Sequence, residues 1–146
     1  MNKASKPAKK IFESRLDCLE EVQVWIRQHA IIGGLSPPSI RQVELALEEA
    51  IVNIIQYAYP HFIGKIEISF KFYPRSQVEF QLKDTGPPFD PLQAKSQVDP
   101  DVSLEDREEG GLGILMMCKY MDQVHYDRKN GMNILTLIKK IYTQTN

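Results

Sequence analysis

Glu49 and Asn53 stand four residues apart within ELALEEAIVNIIQYAYP, residues 44–60. Apolar residues at Val43, Leu47, Ala50, Ile51, Ile54, Ile55 and Ala58 follow the i, i+3, i+4, i+7 rhythm of an amphipathic helix. On such a helix the carboxylate and the carboxamide lie one turn apart on the same stripe. The pair is suited to holding Mg²⁺ or to ordering a water or a hydroxyl. The same spacing also suits a solvated face shared by Glu44, Glu48 and Glu49. A second group, Asp84-Thr85-Gly86, ends a run of strand character. An Asp there can accept a hydrogen bond from an exocyclic amine such as that of adenine, and Gly86, with no Cβ, lets a flat ring approach the backbone. The plain alternative is a turn. A third group, Gly110-Gly111-Leu112-Gly113, leads into a helix whose free N–H groups can point at phosphate. Its alternative is a hinge ahead of a buried helix.

The elements that position these groups follow from periodicity. Residues 11–16 form a short mixed strand. From Asp17, a suitable N-cap, Leu19, Val22, Trp25, Ile26 and Ala30 mark a helix with Glu20 and Glu21 in its first turn and Gly33-Gly34 at its end. Ser36-Pro37-Pro38-Ser39 is a connector, Ser39 with Gln42 fits a capping box for the central helix, and Pro60 closes that helix. The period then switches to two. Ile66, Ile68, Phe70 and Phe72, followed by Val78, Phe80 and Leu82, predict an antiparallel hairpin over 65–83 turning at Tyr73-Pro74-Arg75-Ser76. Residues 84–91 hold three prolines and cannot extend a ladder. Residues 93–110 are polar and predict a long loop, of the kind that serves as a lid. A helix over 112–121 precedes strands 123–128 and 132–141, joined at Lys129-Asn130-Gly131 by the Asn-Gly hairpin signal. The order β-α-α-β-β-loop-α-β-β predicts an α+β two-layer sandwich, a mostly antiparallel mixed sheet covered on one face by helices.

A chain of 146 residues, 42% hydrophobic, fits a single domain over 10–146 behind a flexible tail at 1–9. The net charge of −1 offers no basic surplus for nucleic acid. Cys18 and Cys118 lack metal or redox spacing and read as buried thiols in a reducing compartment. No apolar run reaches membrane-spanning length, and MNKASKPAKK has no apolar stretch behind it to make a signal peptide. The expectation is a soluble cytoplasmic protein.

In this order, with a polar segment between the second and third, the three groups resemble the boxes of the GHKL ATP-binding family, the Bergerat fold of histidine-kinase catalytic domains and DNA gyrase B. They are most similar to its anti-sigma factor serine kinases of the RsbW and SpoIIAB type. Glu49-Ala50-Ile51-Val52-Asn53 matches the N-box, residues 84–91 the first glycine box with its Phe-Asp-Pro ending, and Gly110-Gly111-Leu112-Gly113-Ile114 the second. Tyr120-Met121-Asp122 and Asn133-Ile134-Leu135-Thr136-Leu137 resemble the end of the anti-sigma branch, so the resemblance covers roughly residues 10–141. It implies ATP and Mg²⁺ as ligands. Glu49 would be the general base toward an incoming Ser or Thr hydroxyl, and Asn53 the Mg²⁺ ligand. Asp84 would read adenine, with Gly86 as the ring-approach glycine. Gly111 and Gly113 would cradle phosphate, with Gly110 as lid hinge. Thr136 would support adenine through water, or be a plain strand threonine. No cation over the γ-phosphate can be assigned from the sequence: Arg107, just before Glu108-Glu109-Gly110-Gly111, could neutralise charge there, but a solvated loop arginine is the default reading. Pro88 departs from the pattern by standing where the family often has a second glycine. The implied function is an anti-sigma factor with serine/threonine kinase activity. It would phosphorylate a STAS-type anti-anti-sigma protein, sequester a sigma factor and form a homodimer. The alternatives are an ATP-binding partner-switch module without catalysis and a histidine-kinase-type catalytic domain. Glu49 and Asn53 together speak against the first, and the lack of a phosphoacceptor helix against the second.

Overall fold

The computed structural model describes residues 3–96 and 111–142. Five strands form one sheet: β1 (Ala8–Glu13), β2 (Lys65–Tyr73), β3 (Gln77–Asp84), β4 (Gln123–Lys129) and β5 (Met132–Lys140). Their spatial order is β1-β2-β3-β5-β4, and all four ladders are antiparallel rather than mixed. The helices are α1 (Leu19–Ile32), α2 (Pro37–Tyr57), the short α3 (Pro91–Ser96) and α4 (Gly111–Tyr120). This is the expected α+β sandwich.

Alternation assigns the two faces of the sheet. Ile66, Ile68 and Phe70 of β2, Val78, Phe80 and Leu82 of β3, and Leu135 and Leu137 of β5 are buried. They share one core with Val22 and Ile26 of α1, Leu47 and Ile51 of α2, and Ile114 and Met117 of α4. The other face is polar. There Glu67 lies opposite Lys83 and Lys71 opposite Glu79, with N···O distances of 3.7 and 3.3 Å. Such half-exposed pairs each contribute at most about 1 kcal/mol, so the apolar face holds the sheet in place.

The structure moves several boundaries, each for a local reason. β1 runs from Ala8 to Glu13 rather than over 11–16; among its side chains only Phe12 is buried, so its alternation is faint in the sequence. Ser5 extends this edge, its N–H donating to Phe72 O at 2.8 Å and its Oγ accepting from Phe72 N at 3.0 Å. Asp17 does not cap α1. It sits in a single 3₁₀ turn, Leu16–Cys18, and pairs with Arg15 at 3.3 Å, while Cys18 takes the N-cap position. α2 starts at Pro37, with Ser36 as N-cap, so Ser39 lies inside the helix and heads no capping box. Proline in the first turn forfeits no intrahelical hydrogen bond, which lets the helix begin three residues earlier. The loop expected from Gln93 is helical as far as Ser96; residues 97–110, with Arg107 and Gly110, lie outside the described residues.

Glu44 corrects the reading of a solvated acidic face. It is buried between α1 and α2, accepting hydrogen bonds from Arg27 Nε at 3.2 Å and Nη2 at 2.8 Å. Gln23 Nε2 donates to the Glu44 carbonyl at 3.1 Å. This hydrogen-bonded carboxylate raises the Arg27 pKa above its ordinary value. Between β4 and β5, Asn130 (φ 53°) and Gly131 (φ 74°) both adopt the left-handed conformation that a two-residue I′ turn demands. Cys18 and Cys118 are half-buried. Among the described residues no helix is long and apolar enough to cross a membrane.

Candidate active site

α2 buries Val43, Leu47, Ala50 and Ile51 against the sheet. Asn53, three residues beyond Ala50, falls on the same side and is 6% exposed. Its Nδ2 is fully buried and has no hydrogen-bond partner among the described residues. Leaving such a donor unpaired costs about 1–3 kcal/mol, a cost that a ligand's acceptor atom would remove. Glu49, one turn earlier, is half-buried at the edge of the same stripe.

Asp84 is the last residue of β3 and continues its inward row of Val78, Phe80 and Leu82, which is why it is 5% exposed. Its Oδ1 accepts hydrogen bonds from Gly86 N and Asn133 Nδ2, both at 2.9 Å. The turn that follows is braced by the buried Tyr59, whose OH donates to Lys65 O at 2.9 Å and accepts from Thr85 N at 2.8 Å. From β4, Arg128 Nη1 donates to Gly86 O at 2.6 Å.

These groups border a cleft between α2, α4 and the ends of β3, β4 and β5. Asn53, Asp84, Tyr126 and Asn133 supply its polar atoms; Ala50, Ile54, Ala58, Phe89, Met117 and Leu135 supply apolar walls. A mostly apolar cleft with a few convergent polar groups suits a flat ring with a polar edge. Phe89 is held at its wall by stacking on Tyr57, with ring centroids 5.0 Å apart. Among the described residues no three His, Cys, Asp or Glu side chains gather as a metal site. Asn53 is the side chain here whose chemistry fits Mg²⁺, a hard ion that takes few protein oxygens and keeps its waters. The unpaired Asn53 Nδ2 fits a phosphate oxygen, and the Oδ1 of the same amide is the kind of oxygen that Mg²⁺ takes.

Of the candidate glycines among the described residues, Gly86 and Gly113 prove to be spaces for the protein's own atoms. Gly111 opens α4. A Cβ on Gly113 would collide with the Glu49 carboxylate, so this glycine lets Glu49 lie against the first turn of α4. A Cβ on Gly86 would come within 2.5 Å of Ala58 Cβ and 2.7 Å of Ala58 Cα. The side of Gly86 that was expected to receive a ring is thus filled by the end of α2. Backbone cannot yield as a side chain can, so Gly86→Ala is expected to cost about 1–3 kcal/mol of stability, read as a lower urea midpoint.

Thr136 is placed away from the cleft. It is separated by one pleat from Leu135 and faces the polar side of the sheet, where its Oγ1 accepts a hydrogen bond from Gln81 Nε2 at 3.1 Å. A residue of the wrong parity cannot reach a ligand beneath the helices. The β5 residue that does reach it is Asn133, paired directly with Asp84 in the ladder. The sequence reading missed Asn133 and, on β4, Tyr126. Parity with the apolar Leu135 and Leu137 was the available signal for Asn133.

A family model of the histidine kinase-like ATPase domain matches residues 12–139. The serine-protein kinases RsbW of Bacillus cereus and Bacillus anthracis are each 33% identical to this chain over 105 residues, which is 70% of this chain and 65% of theirs. The chain thus spans less than two thirds of these relatives' length. Among solved structures, one of the RsbU and RsbW domains of a Mycobacterium tuberculosis protein superposes with a TM-score of 0.65 at 14% identity, covering 94% of this chain and 33% of that one, a likeness of fold. With the Asn53–Asp84 cleft in place and a family match running from β1 to β5, the chain belongs to the histidine kinase-like ATPase domain family.

Proposed function

We propose that this protein is an ATP-dependent serine/threonine-protein kinase that is also an anti-sigma factor, phosphorylating a STAS-type anti-anti-sigma protein and sequestering a sigma factor. The observation that carries the reading is the buried Asn53 Nδ2, without a hydrogen-bond partner among the described residues, one turn from Glu49 and across the cleft from Asp84. The similarity to serine-protein kinases supports it. Bound ATP supplies the phosphoryl group, and Mg²⁺ screens the charge on its phosphates. Asp84 holds the base edge by accepting from its amino group. Asn53 offers an amide oxygen to the metal and its free Nδ2 to a phosphate oxygen. The first turn of α4, opened by Gly111, offers N–H groups that no preceding residue of the helix can use. Glu49 accepts the proton of the attacking Ser or Thr hydroxyl. The hydroxyl oxygen bonds to the γ-phosphorus as the γ-phosphorus bond to the bridging oxygen breaks, and ADP leaves. Phosphoryl transfer relies on positioning and charge stabilisation, which this arrangement of one carboxylate, one amide and one helix start provides. A cytoplasmic homodimer completes the proposal.

The test incubates the purified protein, γ-³²P-ATP and Mg²⁺ with STAS-domain proteins of its own cell. Acid-stable label on a Ser or Thr is the expected result. Acid-labile label would favour histidine phosphorylation, and tight association without label would leave a partner-switching module without catalysis.

A further inference from the structure

We infer that Asn133, anchored by Tyr126, is the positioning residue that sets the base specificity of the cleft. It commits Asp84 to presenting a bare acceptor, which takes a purine with a 6-amino group and turns away one with a 6-oxo group. The inference rests on the nucleotide-binding reading above.

Asn133 is 5% exposed and uses its whole amide. Nδ2 donates to Asp84 Oδ1 and to Pro87 O, both at 2.9 Å. Oδ1 accepts from Tyr126 OH at 2.5 Å and from Phe89 N at 3.3 Å. The two backbone partners decide which way round the amide sits. A carbonyl can only accept and an N–H can only donate, so Nδ2 must face Pro87 O and Oδ1 must face Phe89 N. Nδ2 is thereby also aimed at Asp84. Together with Gly86 N it gives Asp84 Oδ1 two donors, and no described residue donates to Oδ2. Turning the carboxylate away would break two hydrogen bonds in a buried place.

The same amide ties the two walls of the cleft together. Asp84 is on one side and the Pro87-Pro88-Phe89 segment, with the wall residue Phe89, is on the other. Pro88 sits between the two backbone groups that Asn133 grips, so the stiff residue and the clamp act on one short segment. A cleft built in this way reads the base by geometry set before the ligand arrives. An amino group meets Oδ2 as donor to acceptor. A 6-oxo group meets it as acceptor to acceptor, leaving both unpaired, and sites of this type discriminate strongly.

The test measures equilibrium binding of ADP and of inosine diphosphate to wild type, Asn133→Leu and Tyr126→Phe, with thermal unfolding of each. Wild type is expected to favour ADP by about 100-fold or more. Asn133→Leu is expected to narrow that ratio by about tenfold, and Tyr126→Phe by about threefold. A merely structural role would weaken both nucleotides alike and leave the ratio unchanged; that result in both variants overturns the inference while the nucleotide reading stands. Equal binding of the two nucleotides by wild type overturns it too. Binding of neither by wild type removes the nucleotide reading itself. If Asn133→Leu does not fold, Tyr126→Phe decides the matter, since it loses one hydroxyl and keeps the ring. A readout without ligand accompanies these. The Asn133 side-chain amide protons should exchange slowly with water in the free protein and faster in Tyr126→Phe; fast exchange in wild type counts against the clamp.

Discussion

Glu49→Gln is expected to lower phosphotransfer by about 10²–10⁴-fold while leaving the dissociation constant for ATP within about threefold of wild type. Glutamine keeps the volume and the helix propensity of glutamate, so α2 should pack unchanged. What is lost is the ability to take a proton. The measurement is single-turnover transfer of ³²P to the protein substrate, with nucleotide binding titrated separately. Equal transfer by variant and wild type would remove Glu49 from the mechanism. Gly113→Ala supplies an independent check on the same group. Its new methyl meets the far end of the Glu49 side chain rather than backbone, so the protein should fold and the carboxylate should shift. Transfer should then fall without any chemical change at Glu49. A wild-type rate in Gly113→Ala would show that the contact between α4 and Glu49 does not matter to the reaction.

The second large effect is expected at Asp84. In Asp84→Asn, the two donors that face Oδ1, Gly86 N–H and Asn133 Nδ2, demand an oxygen. They would hold the new amide with its oxygen toward them and its NH₂ toward the cleft. The group facing the base would thereby change from acceptor to donor. Affinity for adenine nucleotides should fall by about 100-fold, since a hydrogen bond to a charged group is lost and two donors are opposed. Inosine nucleotides, with a 6-oxo acceptor that now meets a donor, should bind more tightly than they do to wild type and become the preferred ligands. Parallel titrations of both nucleotides read this directly. An unchanged preference for adenine would mean that Asp84 does not face the base, and a uniform loss would mean that the substitution had disturbed the cleft as a whole.

Local patterning determined a good deal of this protein. The 3.6-residue period of α2 carries Glu49 and Asn53 onto one stripe, and this follows from helical geometry alone. The two-residue period of β2 and β3 defines their buried face, and extending it by one step puts Asp84 at the inner end of β3. Asn130-Gly131 specifies its turn because both positions require positive φ. Where alternation was faint, as in the edge strand β1, or where proline could enter a helix without loss, as at Pro37, local rules misplaced the boundary.

What only the tertiary structure decided is who stands beside whom. Periodicity says which residues share a face, and it is silent on which strand is the neighbour. Because β5 lies between β3 and β4, Asp84 is paired with Asn133, and Asn133 with Arg128 on the far side. The Asn130-Gly131 turn fixes the Arg128–Asn133 pair locally, but Asp84 is far away in sequence and no local rule joins it to them. A one-residue step along β5 separates Asn133 and Leu135, inside the cleft face, from Thr136 outside it. The roles of the glycines were hidden for the same reason. Gly86 and Gly113 are each small because another element of the same chain, Ala58 at the end of α2 or Glu49 within it, occupies the space a side chain would need. Close packing between distant segments sets that requirement, and it exists only once the sheet and its helices have come together.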